Sequence, residues 1–141
     1  MPITDTRGVR NRNPGNIDYN PDNDWKGQLK PDPTIEKRFA RFDTAENGIR
    51  ALGKVLLTYQ RKHGLKTVKA IISRWAPSVE NDTTAYVRAV EANTGTRPGA
   101  EVDLTQPAVM AGFVKAIIHH ENAGYAYPDA VLAEGVRRAL A

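Results

Sequence analysis

The sequence predicts a mainly α fold (α+β), a helical body with a small N-terminal β-hairpin lobe. Three observations carry that prediction. Between residues 44 and 141, five stretches repeat apolar residues at the spacing of one helical face. Most of these stretches are bounded by capping residues, glycine or proline. Residues 1–43 are instead dense in Asn, Asp, Pro, Gly and Arg, with two short runs that alternate apolar and polar. At 141 residues the chain is long enough for one domain with a real core. The expected division is a β lobe over 1–43 and a helical lobe over 44–141.

In the first segment, Asn13-Pro14-Gly15-Asn16 is a turn signal, and Asn20 to Asp24 is another. Ile17-Asp18-Tyr19 between them fits a short strand. Trp25 to Leu29 and Arg38 to Phe42 are expected to pair as a hairpin across Pro31-Asp32-Pro33. A segment this polar makes no core of its own, so it must lie on the helices that follow. Trp25, Phe39 and Phe42 are its anchors. Its amides and rings suit a wall facing carbohydrate, because amides hydrogen-bond hydroxyls and rings stack on sugar faces.

The helices follow in order. Asp43-Thr44-Ala45-Glu46 reads as a capping box, with Asp43 as cap and Glu46 three positions on. The helix it opens runs to about His63 on a stripe of Ile49, Leu52, Leu56 and Tyr59, and Gly64 ends it. Thr67 caps a short helix with Val68, Ile71, Ile72 and Trp75 inward, stopped by Pro77. Asn81 or Asp82 caps the next, which carries Tyr86, Val87 and Val90. Thr105 and Pro107 open an apolar helix ending at Glu121, with Val109, Phe113, Ala116, Ile117 and His120 on one face. Met110, Val114 and Ile118 lie beside that face, so the helix should have protein on most sides. A last helix turns Val131, Leu132, Val136 and Leu140 inward.

Composition narrows the function classes. There is no cysteine, so neither a disulfide framework nor a thiolate metal site exists. His63, His119 and His120 make no metal signature, and no cofactor is expected. No apolar run approaches the ~18 residues of a membrane span, and no signal peptide opens the chain. Membrane insertion is not expected, and export would need another carrier. Residues 1–70 hold 14 Lys and Arg against 8 Asp and Glu; residues 71–141 hold 6 against 8. A basic half favours an anionic partner such as nucleic acid, a membrane surface or cell-wall polymer. The basic residues are interspersed with Asp rather than clustered and match no nucleic-acid-binding motif, so nucleic acid is not expected.

Glu121 draws the eye as chemistry. It is a carboxylic acid at the C-terminal end of an apolar helix, where the helix dipole is negative and opposes ionisation. An acid in such a place is suited to hold a proton and give it to a leaving group. The plain alternative is a solvated helix-end residue.

The run Ala116-Ile117-Ile118-His119-His120-Glu121-Asn122-Ala123-Gly124 resembles the helix of lytic transglycosylases and related lysozyme-fold muramidases that ends in the catalytic glutamate. Arg10 to Ile17, Trp25-Lys26-Gly27 and Phe39 to Asp43 resemble the segment after the catalytic helix in peptidoglycan glucosaminidases and muramidases. Trp75-Ala76-Pro77, Glu80 to Thr83 and Tyr86 are similar to a later helical segment of those groups. The whole chain is similar to small phage virion proteins that open with an Arg- and Asn-rich Pro-Gly-Asn-Ile turn. The order differs from the usual family, with the glutamate helix near the end and the hairpin first. A circularly permuted lysozyme-like domain preserves every contact if the chain ends lie together.

This resemblance implies cleavage of the β-1,4 bond between N-acetylmuramic acid and N-acetylglucosamine in peptidoglycan, by a lytic transglycosylase or muramidase. Glu121 is then the catalytic acid. Asn13, Asn16, Tyr19, Asn81, Tyr86, Asn122 and Tyr125 are the substrate-binding candidates. A hydrolase needs a second carboxylate or a positioned water, and Glu36, Asp32 and Asp43 are the candidates for that carboxylate. The implied partners are glycan strands and other virion proteins, and the implied location is the virion or the host periplasm. The rival is a non-catalytic phage structural or cell-wall-binding protein with the same fold.

Overall fold

The computed structural model describes residues 6–77 and 82–141. Among these the fold is mainly α, with six helices: α1 (Arg7–Arg10), α2 (Ala45–His63), α3 (Val68–Trp75), α4 (Thr83–Thr94), α5 (Pro107–Glu121) and α6 (Asp129–Leu140). The five long helices fall where apolar periodicity places them; α1 is a single short turn that carries no such signal. No described helix is long and apolar enough to cross a membrane.

Local chemistry explains most of the boundaries. The Thr67 hydroxyl accepts from Ala70 N at the start of α3, and the Asp82 carboxylate accepts from Ala85 N at the start of α4. Each satisfies an N–H that has no partner within the helix. Gly64, at φ 63°, closes α2 in the left-handed region that glycine enters freely. Two starts differ from expectation by one residue. The cap of α2 is Thr44, whose hydroxyl accepts from Asn47 N, so Glu46 is not the third helical residue and no capping box forms. Helix α5 begins after Gln106, which makes no side-chain cap bond, with Pro107 first in the helix; Thr105 is drawn into a turn closed by the Asp103 carboxylate.

Helix α5 is the centre of the body. It packs against α2, α4 and α6, and Met110, Phe113, Val114, Ile117 and Ile118 are buried. Ile49, Leu52 and Leu56 of α2, Ile71 and Ile72 of α3, Val90 of α4 and Val136 of α6 close around it. Each such side chain contributes on the order of 1.5–3 kcal/mol by leaving water. Helix α2 also lies along α6, where Gly135 faces Ile49 so closely that a β-carbon would stand 2.5 Å from it. His120 departs from the expected buried face: it is exposed, and its ring lies over Tyr86 with centroids 4.1 Å apart.

The β-hairpin lobe does not form; the described residues contain no sheet. Residues 38–42 run beside 17–19 and 27–29, but only single bridges form, Asp18 with Phe39 and Gln28 with Phe42. The reason lies in where the backbone donors go. The N–H groups of Arg38 and Phe39 both bond to the Glu36 carboxylate, and Phe42 N bonds to Asn11 O. Those donors are lost to any ladder. Side chains hold this arm instead. Asn13, fully buried, donates to Ile17 O and Ala40 O and accepts from Ile17 N. Phe42 and Ala40 pack on Ala51 of α2 with Trp25 and Ile17 beside them.

Candidate active site

The arm returns across the far end of α5. Asn122, the residue after that helix, is fully buried. Its amide donates to Pro14 O at 2.8 Å and Ile118 O at 3.0 Å, and its Oδ1 accepts from the Thr6 hydroxyl at 2.8 Å. Chain positions over a hundred residues apart are thereby clamped together. The clamp places the turn from Asn13 to Asn16 directly against Glu121.

A groove of about 430 Å³ opens there. Gly15 to Asp18, Arg38 and Phe39 form the arm side of it. Val55 and Tyr59 of α2, Trp75 and Ala76 at the end of α3, and Glu121 form the helical side. Glu121 is partly buried, and Asn16 Nδ2 donates to its Oε1 at 3.3 Å. The Trp75 indole N–H donates to the Tyr86 hydroxyl at 3.2 Å, which sets the angle of the ring. Burial pushes the Tyr86 phenol well above its ordinary pKa; the Glu121 carboxylate adds to the rise and the Trp75 N–H opposes it. Tyr86 therefore stays neutral behind the acid. The Arg74 guanidinium lies 5.2 Å from the Tyr59 ring, whose phenol is raised chiefly by burial. At the rim, Arg38 pairs with Asp18 at 2.7 Å, both side chains being more than half exposed. Such a pair is worth at most about 1 kcal/mol and opens easily. The Arg38 guanidinium also lies 4.8 Å from the Phe39 ring centroid.

A larger groove of about 640 Å³ runs between α5 and α6, past Ala108, Ala111, Leu132, Val136 and Leu140. Its walls are almost wholly apolar, so it offers little for bond chemistry. The smaller groove joins an acid, amides and rings, which is the combination expected of a polar-ligand site.

Two of the residues expected at the site, Glu121 and Asn16, meet in this groove. Asn13 and Asn122 lie just behind it as buried structural clamps, with their hydrogen-bonding groups already engaged. Tyr86 is only 2% exposed and supports Trp75 from beneath. Tyr19 lies in a separate recess with Leu29, Pro31 and Glu36. Tyr125 packs edge-on against Tyr127 at 4.8 Å, away from the groove. Asn81 lies outside the described residues.

The three expected second carboxylates are otherwise engaged. Glu36 accepts from Arg7 at 2.6 and 2.8 Å, from Asn11 and from two backbone N–H groups, and the Arg7 guanidinium holds it well below the usual carboxylate range. Asp32 binds the Thr34 hydroxyl and N–H, which lowers its pKa. Asp43 is lowered by the Asn47 amide. None of the three lines the groove; the second carboxylate that does is Asp18. Sequence reading also placed Tyr59 and Trp75 in the core, because apolar spacing does not separate a half-buried ring from a buried one.

No protein-family model matches the chain. The chain is 41% identical over 126 residues to Protein P5 of Pseudoalteromonas phage PM2, a match covering 86% of this chain and 74% of that protein.

Proposed function

The chain belongs to the family of Protein P5 of Pseudoalteromonas phage PM2, and we propose, from the groove at Glu121, that it is a peptidoglycan-cleaving glycosidase built on a circularly permuted lysozyme-like domain. One observation carries the reading: Glu121, at the end of the central helix, faces a groove whose opposite wall is the N-terminal arm. Trp75, Tyr59 and Phe39 supply rings for sugar faces, and Asn16 and the Asp18–Arg38 pair supply polar contacts.

The proposed reaction begins with Glu121 giving its proton to the glycosidic oxygen as the C1–O bond breaks. The positive charge that develops at C1 needs an electron-rich partner. In the transglycosylase branch, the C6 hydroxyl of the same sugar attacks C1 and returns its proton to Glu121, leaving a 1,6-anhydro end. In the muramidase branch, water attacks instead, and Asp18 is the carboxylate on the arm side that can orient it or shield the charge. Asp18 is exposed and already paired with Arg38, which favours the first branch. A phage relative suits an enzyme that opens the wall from a virion, and glycan strands and virion proteins are the proposed partners.

The test is Glu121→Gln on purified sacculi. Loss of a general acid is expected to slow release of soluble muropeptides by about 100-fold or more with the melting temperature unchanged. Mass spectrometry of the products separates the branches, since an anhydro end is lighter than a hydrolysed end by one water. Release by the variant within a few-fold of wild type removes Glu121 from the mechanism. No release by either protein leaves the non-catalytic structural or wall-binding protein as the reading.

A further inference from the structure

We propose that the apolar groove between α5 and α6 is a self-association face, in which α6 of one copy lies antiparallel in the groove of a second copy, about a two-fold axis at Ala133. The inference goes beyond the lytic reading and does not depend on Glu121.

The groove holds about 640 Å³ and runs along α6 past Leu132, Val136 and Leu140, with Ala108 and Ala111 of α5 on its other wall. Apolar walls between two neighbouring helices accept the ridge of a third. Two charged residues in the lining set what that third helix must carry. Asp129 opens α6, and Arg137 follows on the same lining roughly 12 Å along the axis. Asp129 makes no ion pair among the described residues; Lys115, which borders the next recess with it, does not pair with it. Towards the other end, one carboxylate serves two cations, since Glu134 bonds Arg137 at 2.7 Å and Arg138 at 2.7 Å. That leaves a net positive charge there, and the Arg137 side chain is 67% exposed. The occupant therefore needs a cation opposite Asp129 and an anion opposite Arg137, with an apolar ridge between them.

Helix α6 meets that description when it runs in the opposite direction. Ala133 stands midway between Asp129 and Arg137 in the sequence. A two-fold axis there sets Asp129 of each copy against Arg137 of the other, and symmetry repeats the pair. Glu134 keeps its bond to Arg138 when Arg137 turns to the second copy. Ala133 is exposed and small, so the two helices meet closely at the axis. Each α6 then fills the groove of the other copy, in the order α5, α6, α6, α5. Leu132 and Leu140, half-buried in the single chain, lose their remaining contact with water. That burial supplies the attraction, and the charges at the rim fix direction and register. The face uses the start of α5, and Glu121 ends that helix roughly 21 Å away, so both Glu121 grooves stay open in the pair.

The test is sedimentation of the full chain over a rising concentration series, which should show a species of twice the chain mass in equilibrium with the monomer. Asp129→Arg sets cation against cation at both pairs, and Arg137→Asp sets anion against anion. Each variant alone should associate more weakly by about tenfold or more. An equimolar mixture of the two restores opposite charges at both pairs. Native mass spectrometry of that mixture should show one chain of each variant in the dimer, an outcome that misfolding of either cannot produce. Ala133→Arg, at an exposed position, puts two guanidiniums on the axis and should give monomers with unchanged helical circular dichroism. A wild-type chain that stays monomeric across the series overturns the proposal and leaves the groove to a segment of another protein. A mixture of folded variants that pairs no better than its parts overturns it as well. If a charge variant loses the wild-type circular dichroism, Ala133→Arg decides alone: monomers support the face, and an unchanged dimer overturns it.

Discussion

The helical body and the N-terminal arm are held by different forces. In the body, side chains from α2 to α6 bury almost no polar atoms, and stability comes from area removed from water around α5. The arm has one small apolar cluster, around Phe42, and otherwise relies on Asn13, Asn122, Glu36 and Asp43, each bonded to backbone or to another polar side chain. Apolar packing is tolerant of small shifts and is shared among many residues. A polar clamp is directional, and removing one partner leaves the other buried and unsatisfied. The groove lies on the seam between these regions, so the body places its acid and the arm places the wall opposite.

The comparison breaks most severely from the body side. Phe113→Ala empties the centre of the core and is expected to cost about 3–5 kcal/mol, with arm and helices lost in one denaturation transition. Two separate transitions would show that the arm does not depend on the core. A smaller effect is expected from Asn122→Ala, about 1–3 kcal/mol for the groups left unpaired. Here the loss should be local. Limited proteolysis within residues 6–43 should accelerate while helical circular dichroism persists, and any wall-cleaving activity should fall with the arm. An unchanged proteolysis rate would mean that the clamp is dispensable.

The smallest effect is a pH effect on the arm alone. The Glu36 pKa is lower in the folded protein than its ordinary 4.5, because of Arg7 first and then the backbone and Asn11 donors. A depressed folded value means that its contribution is present above about 4.5 and fades as pH falls below that. Acidification should therefore loosen residues 36–39 before the helices melt, read from hydrogen exchange at the Arg38 and Phe39 amides that Glu36 accepts from. Glu36→Gln should give faster exchange at neutral pH and little further change in acid. An equally steep acid dependence in that variant would place the sensitivity elsewhere.

The helical body was legible because its signals are local. Apolar spacing, Thr67, Asp82 and Gly64 each act within one or two turns, and four of the five long helices show the expected inward residues without exception among those described as core or packed against it. Where a cap was misplaced, as at Thr44, the error was one residue. The arm was far less legible. Alternation in 25–29 and 38–42 suggested a hairpin, but Glu36 and Asn11 take the donors that a ladder needs. Nothing in the pattern near Phe39 announces that competition. At the site, Glu121 and Asn16 were identifiable from a motif and a turn. In the sequence Asp18 reads as part of a short strand, and Tyr59 and Trp75 read as core.

By itself the sequence determined the mainly α character, the positions of the long helices and the presence of an acid at the end of the most apolar one, because each follows from interactions a few residues long. Only the tertiary structure decided that the arm crosses that acid, that Asn13 and Asn122 clamp the arm there, and that Asp18 rather than Glu36 shares the groove. Those outcomes depend on partners as much as 116 positions apart, as in the bond from Thr6 to Asn122. A directional bond between two polar groups leaves no periodic trace in either of the segments it joins.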